Sequence, residues 1–358
     1  MTEKLSEPEQ IDLLVTMILD QLEVSDNRDV LGHLLSTAIA MAASDVKRLD
    51  LKIASDSLRE LANAFKVFEP YHLQRKITLF GSARSNPSDP TYEVAREVSE
   101  RLSKRGWMTV TGAGQGIMQA GLEGAGPEMS FGVNIKLPHE QFANYVIAND
   151  PKLVSMKYFF TRKLMLVKES HGFVVMPGGF GTLDESFEIL TLIQTGKAVP
   201  APVVLLDAKG GSYWQAWERF LKQEAISRGF ISPADQSLYL ITQSVDEAVE
   251  EIVNFYRNYH SLRFVGNRLI VRTNSCVSDE ELKYLNEAFS DICIEGVIEK
   301  TEATPQEVAD NDYLSLFRLS LRFNQVSHGR LRSFIDALNQ LPSAETSGVL
   351  AGGETSHY

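Results

Sequence analysis

The sequence predicts an α/β protein built on a Rossmann-like, doubly wound parallel sheet, and two observations lead to this fold class. From Lys76 onwards, short apolar segments alternate with amphipathic helical segments, which is typical of parallel β-α-β units. Glycine-rich turns at residues 111–116 (TGAGQG) and 177–181 (PGGFG) directly follow two of the apolar segments. Small residues at that point are typical of a strand that passes into a helix beside a ligand.

Composition and charge indicate which kinds of ligand and partner the protein can bind. The chain of 358 residues is 44% hydrophobic and 23% charged, values that argue against a disordered or membrane protein. Its net charge of −12 repels polyanions, so we expect no nucleic-acid partner. A small phosphorylated ligand stays compatible with this charge, because backbone dipoles bind phosphate locally. The two cysteines, Cys276 and Cys293, are too few for a disulfide framework or a Cys-rich zinc site.

The N-terminal segment predicts a cytoplasmic protein. Acidic residues stand where a signal peptide needs a basic start followed by an apolar core. No apolar run approaches the roughly 18 residues that cross a bilayer, so we expect no membrane partner.

Residues 1–75 are predicted to form an N-terminal helical extension. Apolar residues recur at helical spacing within 11–22, 31–41 and 58–65, which predicts three amphipathic helices. Pro70 ends the third of them. We expect this extension to act as a cap or a dimerisation arm.

Residues 76–258 are predicted to form the nucleotide-binding central domain. Strands are expected at 76–80, 107–110, 130–135, 172–176 and 202–206, and helices at 92–105, 117–124, 155–169 and 182–195. In a doubly wound sheet the ligand lies at the carboxyl ends of the strands. We therefore expect the glycine-rich turns to face one another there.

Residues 259–342 are predicted to form a separate α+β module of βαββα order, followed by a disordered tail at 343–358. Its strands are expected at 268–272, 295–302 and 313–323, and its helices at 279–289 and 329–341. Arg318 and Arg322 alternate with apolar residues on the last strand, which predicts a half-exposed strand. An anionic effector site at these arginines is the alternative.

The turn at 177–181 has the chemistry of a phosphate site. Gly178, Gly179 and Gly181 follow an apolar strand, and a helix is expected to open at Thr182. Such a turn aims backbone N–H groups and a positive helix end at one point. Pro177 fixes the entry of the chain and Thr182 adds a hydroxyl donor. The alternative is a tight connection without a ligand.

The turn at 112–116 differs from a dinucleotide fingerprint. Gly112, Gly114 and Gly116 have the spacing GxGxG, and Ile117 stands where a third glycine is required. No acidic residue closes the following strand to hold an NAD ribose, so a nicotinamide cofactor is not expected. We expect this turn to bind the nucleotide, and the alternative is a tight connection without a ligand. Met118, beside the turn, is expected to line the nucleotide pocket.

A third small turn and two further motifs complete a family resemblance. Gly81 and Ser82 lie within FGSAR at 80–84, and the pair Arg162 and Lys163 precedes PGGFGTLDE at 177–185. Together with TGAGQGIMQAG at 111–121, these motifs resemble the LONELY GUY family of nucleotide 5′-monophosphate phosphoribohydrolases, whose members are often labelled lysine decarboxylases. The resemblance extends over residues 76–254, about half of the chain.

The resemblance implies a catalytic pair, Arg162 and Glu185, with Gly179, Gly181 and Thr182 at the phosphate. A carboxylate at Glu185 can stabilise positive charge on the sugar ring, orient the ribose hydroxyls or activate water. Arg162 can hold the ribose or phosphate, or steady the charged carboxylate. The residues alone leave these roles open, and they leave open that both side chains are ordinary helix-surface charges.

The expected reaction is hydrolysis of AMP-like nucleotides, cytokinin nucleotides included, to a free base and ribose 5-phosphate. A homodimer or larger homo-oligomer is implied by the resemblance, and neither a metal nor a cofactor is expected. The main alternative is a non-catalytic nucleotide-binding regulator or scaffold. Amino-acid decarboxylation is disfavoured, because it needs a lysine that binds pyridoxal phosphate and only Lys163 is placed near the site.

Overall fold

The computed structural model of the protein describes residues 7–136 and 143–346. The chain divides into two compact units, Met1–Ala62 and Asn63–Tyr358. The domain boundaries expected at residues 75 and 258 stay predictions.

The first unit is helical. The three expected helices are α1 (Glu7–Gln21), α2 (Arg28–Ala43) and α3 (Arg48–Phe68), the last of which continues into the second unit. Gly32 of α2 faces α1 at ordinary packing distance, since a Cβ there would lie 3.9 Å from Val15 and from Leu19. Three helices are thus present where the sequence predicts them, and the extension over residues 1–75 and its role as a cap or a dimerisation arm stay predictions.

The second unit contains the predicted parallel sheet. Its seven strands are β1 (Lys76–Phe80), β2 (Met108–Thr111), β3 (Ser130–Ile135), β4 (Leu153–Met156), β5 (Gly172–Val175), β6 (Val203–Leu206) and β7 (Leu240–Thr242). Their order is β4-β3-β2-β1-β5-β6-β7, and every neighbouring pair is parallel. The helices of this region are α4 (Pro90–Lys104), α5 (Ile117–Ala125), α6 (Phe159–Lys168), α7 (Phe180–Gln194), α8 (Tyr213–Phe220) and α9 (Val245–Asn254).

The strand order reverses between β1 and β5. From β1 the chain adds β2, β3 and β4 on one side, and then returns to place β5, β6 and β7 on the other side. The connections that leave the carboxyl ends of β1 and β5 therefore run to opposite sides of the sheet. Such a position is a topological switch point, where doubly wound folds bind ligands. The turns that begin at Gly81 and at Met176 leave the sheet at this position.

The helix expected at 155–169 begins later than the sequence predicts. Residues Leu153–Met156 form β4, which pairs with β3 at the sheet edge, and α6 begins only at Phe159. The expectation was wrong because a short edge strand is stabilised by pairing with a segment distant in sequence, which local periodicity does not reveal.

The C-terminal residues form a second, antiparallel sheet. Its strands are β8 (Tyr259–Val265), β9 (Arg268–Thr273), β10 (Glu299–Lys300) and β11 (Phe317–Leu321), in the order β10-β11-β9-β8. Its helices are α10 (Asp279–Phe289), α11 (Pro305–Ala309) and α12 (His328–Gln340). The expected βαββα order omitted β8 and α11. Strand β8 reads YHSLRFV without regular alternation of polar and apolar residues, and its hairpin with β9 decides its conformation.

One continuous hydrophobic core joins the two sheets. It contains Leu79 of β1 and Val204 of β6 together with Leu319 of β11 and Phe334 of α12. The antiparallel sheet is therefore packed into the same core as the parallel sheet.

Arg318 corrects the expectation of a half-exposed strand. It is 4% exposed, and its Nε lies 3.2 Å from a carboxylate oxygen of Glu307. Its remaining guanidinium nitrogens donate to the backbone carbonyls of Leu316, Asp312 and Tyr313. Each of its three guanidinium nitrogens therefore donates to a group within the fold.

Two expectations concern the chain ends and the membrane. Residues Pro342–Thr346 form a 3₁₀ turn, and the rest of the predicted disordered tail lies outside the described residues. Among the described helices, none combines the length and the apolar character that a membrane span requires.

Candidate functional site

A cavity of about 690 Å³ lies at the switch point of the parallel sheet. Its lining contains nine residues that the sequence singled out: Gly81, Ser82, Gly112, Met118, Arg162, Gly179, Gly181, Thr182 and Glu185. They come from the turns after β1, β2 and β5 and from helices α5, α6 and α7. The glycine-rich turns thus lie together at one edge of the sheet, as the sequence predicts.

The backbone of Ser82 joins the three turns. Its N–H donates to the carbonyl of Pro177 at 3.2 Å, and its carbonyl accepts from the N–H of Ile117 at 3.0 Å. Gly116 makes this junction possible, since its φ is +66° and a Cβ there would lie 2.3 Å from the Ser82 carbonyl oxygen. The glycine is therefore required by close packing of the turns and by its left-handed backbone.

Gly179 and Gly181 differ from the packed glycines. A Cβ at either position would meet no atom within 4 Å, and both residues line the cavity. Their backbone is accessible from the cavity, which suits the close approach of a ligand.

Helix α7 presents its N-terminus to this cavity. It begins at Phe180, two residues before the predicted start at Thr182, and Gly179 is its N-cap. The first intrahelical bond runs from the N–H of Leu183 to the Gly179 carbonyl at 3.1 Å. The N–H groups of Phe180, Gly181 and Thr182 precede that bond and have no intrahelical acceptor. Such a helix end binds an anion.

Arg162 and Glu185 form a close pair beside that helix end. Nη1 of Arg162 lies 3.7 Å from Oε1 of Glu185, and its Nε donates to the carbonyl of Val133 at 2.9 Å. Burial lowers the pKa of the Arg162 guanidinium, and the charge of Glu185 opposes that shift. An arginine keeps its positive charge under these conditions.

The carboxyl of Glu185 is unusually basic. It is 6% exposed, and burial raises its pKa to about 7, although the positive charges of Arg162 and Lys163 lower it. Its Oε2 atom is buried and has no hydrogen-bond partner among the described residues. A carboxyl with this pKa and an unused oxygen is suited to bind or activate a polar group of a ligand.

Lys163 lies next to this pair and does not line the cavity. Its Nζ contacts Asp184 Oδ2 and Glu188 Oε2, each at 2.8 Å. Burial lowers its pKa, but hydrogen bonds to the two carboxylates outweigh burial and raise it overall. A lysine held in the charged state is poorly suited to form a Schiff base, which argues against decarboxylation.

The remaining expected site residues shape the cavity from outside its lining: Gly114, Gly116, Pro177 and Gly178. The Gly114 carbonyl accepts from the side-chain amide of Asn144 at 2.8 Å, and the Gly178 carbonyl accepts from the hydroxyl of Tyr213 at 2.6 Å. The carbonyls of both turns are thus fixed by side chains from other parts of the chain.

Several site residues were not identified from the sequence. Arg84, Phe159 and Phe180 line the cavity. Arg84 and Phe180 lie inside motifs from which the sequence analysis selected the small residues and not these two side chains. Tyr213 and Asn144 come from segments without a recognisable motif, and only their hydrogen bonds in the folded chain identify them.

Comparisons with known proteins agree with these observations. Residues 110–252 match the family described as possible lysine decarboxylase. The chain is 34% identical over 94 residues to the cytokinin riboside 5′-monophosphate phosphoribohydrolase LOG1 of Arabidopsis thaliana, covering 26% of this chain and 42% of that protein. It is 26% identical over 162 residues to the cytokinin riboside 5′-monophosphate phosphoribohydrolase of Mycobacterium tuberculosis, covering 44% of this chain and 82% of that protein.

The alignments leave much of this chain without a counterpart. The matched part spans less than half of the Arabidopsis protein. Among solved structures, the molybdenum cofactor binding protein of Rippkaea orientalis is 19% identical with a TM-score of 0.35, covering 49% of this chain and 94% of that one.

Proposed function

Residues 76–254 resemble the LONELY GUY family in their motifs, and relatives of that family match part of this chain; on that premise we propose that the protein hydrolyses the N-glycosidic bond of nucleoside 5′-monophosphates. The proposed substrates are AMP-like nucleotides, cytokinin nucleotides included. Water adds to C1′ of the ribose, the C1′–N bond breaks, and the base leaves with a proton from the water. The products are a free base and ribose 5-phosphate.

The observation that carries this proposal is the buried carboxyl of Glu185 next to an anion-binding helix end. The N–H groups of Gly181 and Thr182 are proposed to hold the phosphate at the start of α7. Glu185 follows one turn later on the same helix, so a nucleotide bound by its phosphate has its sugar beside this carboxyl.

The charge of the pair suits the proposed reaction. Breaking the bond to the base develops positive charge on the sugar ring, which an ionised Glu185 stabilises. Arg162, at 3.7 Å, favours the ionised form of that carboxyl and restricts its position. Oε2 of Glu185, which is buried and lacks a hydrogen-bond partner among the described residues, is proposed to turn towards the ribose or the attacking water.

The test is base release from a panel of nucleoside monophosphates, with Glu185→Gln as the decisive variant. We expect release from at least one purine monophosphate, and a fall in kcat of about 10²- to 10⁴-fold in the variant. Binding of AMP should change little, because the phosphate is proposed to be held at the start of α7 and not by Glu185. Glu280→Gln, at an exposed position of α10, is the matched control.

One result would favour the alternative function. If the intact wild-type protein binds AMP saturably and releases no base from any substrate of the panel, it is a nucleotide-binding regulator rather than a hydrolase. A homodimer or larger homo-oligomer and a cytoplasmic location stay predictions, and sedimentation and fractionation measure them directly.

A further inference from the structure

The described residues that line the cavity have no excess of positive charge that would attract a phosphate monoester. Its charged lining residues are Arg84, Arg162, Asp184 and Glu185, so formal positive and negative charges balance when all four are ionised. A phosphate monoester brings nearly two further negative charges at neutral pH. The protein as a whole carries −12, which also opposes the approach of an anion.

The other cations near the site are already engaged. Arg162 contacts Glu185 and the Val133 carbonyl, and Lys163 contacts Asp184 and Glu188. Both are therefore paired with negative groups of the protein, and neither has a full charge left for a ligand.

Arg84 differs from these two residues. It is exposed at the cavity, and its guanidinium makes no hydrogen bond or ion pair with any described residue. Its backbone is held in place, since its N–H donates to Ser82 Oγ at 3.1 Å and Ser82 is bonded to the turns after β2 and β5. An exposed guanidinium thus extends from a hydrogen-bonded loop that lines the same cavity as the N-terminus of α7.

We propose that Arg84 is the residue that recognises the phosphate dianion and makes the site select a nucleoside monophosphate over the nucleoside. The inference rests on the proposed function and names the specificity determinant of the same site. A guanidinium offers two parallel N–H donors to phosphate oxygens, and the N–H groups of α7 supply the remaining contacts. Arg162 and Glu185 are then left to the sugar.

The kinetic test compares AMP with adenosine in Arg84→Met, Arg84→Lys and the wild type. We expect Arg84→Met to lower kcat/KM for AMP by about 10- to 100-fold, mainly through KM, and to leave adenosine unchanged. Arg84→Lys should recover part of the loss, since it restores the charge without the bidentate geometry. Arg219→Met, at an exposed arginine of α8 outside the cavity lining, should behave as the wild type.

A binding measurement separates this inference from the proposed hydrolysis. Titration calorimetry with AMP, ribose 5-phosphate and adenosine needs no turnover. Weaker binding of both phosphorylated ligands to Arg84→Met, with adenosine unchanged, supports Arg84 even if the wild type releases no base. Equal binding of AMP by the wild type and Arg84→Met overturns the inference, as does an equal loss for AMP and adenosine, and neither result bears on hydrolysis by the wild type.

Discussion

The guanidinium of Arg162 occupies the space that a side chain at position 112 would need. A Cβ at Gly112 would lie 1.9 Å from Nη2 of Arg162, which is far inside van der Waals contact. The glycine of the second turn therefore has a definite role, because it lets the arginine of α6 reach Glu185 and the carbonyl of Val133.

Gly112→Ala is accordingly expected to lower the activity strongly without unfolding the protein. The added methyl group displaces the guanidinium, and a shift of this size at a catalytic group lowers kcat/KM by about 100-fold. The measurement is steady-state hydrolysis of the best nucleoside monophosphate, together with a thermal melt. Gly32→Ala is the control, since its Cβ meets only ordinary contacts at 3.9 Å. Wild-type kcat/KM in Gly112→Ala would show that the position of Arg162 is not needed.

The pH profile should report the ionisation of Glu185. Its pKa is raised to about 7, and the ionised form is the one proposed to act, so kcat/KM should rise with pH through the region of 7. Because the charge of Lys163 lowers this pKa and the charge of Glu188 raises it, Lys163→Gln should move the midpoint up and Glu188→Gln should move it down.

Opposite shifts of the pH midpoint in these two variants would show that the profile reports the ionisation of Glu185 and not that of the substrate phosphate. The phosphate of the nucleotide also titrates, with a pKa near 6, but its titration in free solution is the same for every variant. Midpoints that coincide in the wild type, Lys163→Gln and Glu188→Gln would therefore assign the profile to another group.

The hydroxyl of Tyr213 is expected to hold the turn at 177–181, where we propose that phosphate binds, in shape. It donates to the Gly178 carbonyl at 2.6 Å, and Tyr213→Phe removes that bond while keeping the ring. A lost hydrogen bond of this kind costs about 1 kcal/mol, so KM for the monophosphate should rise about 5-fold with a smaller change in kcat. Tyr284→Phe, at a half-exposed tyrosine of α10, should leave both constants unchanged.

The charge network of the antiparallel sheet should decide the acid stability of the fold. Burial raises the pKa of Glu307, but hydrogen bonds from Thr304, Arg272 and Arg318 outweigh burial and bring the pKa down to about 2. A carboxyl whose pKa is lowered on folding stabilises the protein above the unfolded value near 4.5. That stabilisation is lost as the pH falls towards 2.

Glu307→Gln should therefore lower the free energy of unfolding at pH 7 by roughly 3–5 kcal/mol, because it leaves two buried arginines without their shared carboxylate. The difference from the wild type should shrink as the pH falls from 5 towards 2. Urea denaturation at several pH values measures it, with the exposed Glu302→Gln as control. A difference that does not depend on pH would mean that packing, and not charge, is the cause.

Much of the site was visible in the sequence because its backbone parts are local. A strand, a glycine-rich turn and the first turn of a helix are contiguous in the chain, so the motifs at 111–121 and 177–185 predicted both turns. The pair Arg162 and Glu185 was implied by the resemblance to a known family. The alternation of strands and helices likewise predicted the doubly wound sheet, and the boundaries of α10 agreed residue for residue.

What the sequence determined by itself is the fold class and the glycine-rich turns, because each depends on residues near one another in the chain. The pair Arg162 and Glu185 was implied by a family resemblance, and its contact is made only in the folded chain. Tertiary structure alone decided that β4 and β8 are strands, since their partners are distant in sequence. It also decided that Arg318 is buried and Arg84 exposed. Burial and pairing are properties of the space between elements, and for a charged side chain they determine whether it supports the fold or remains available to a ligand.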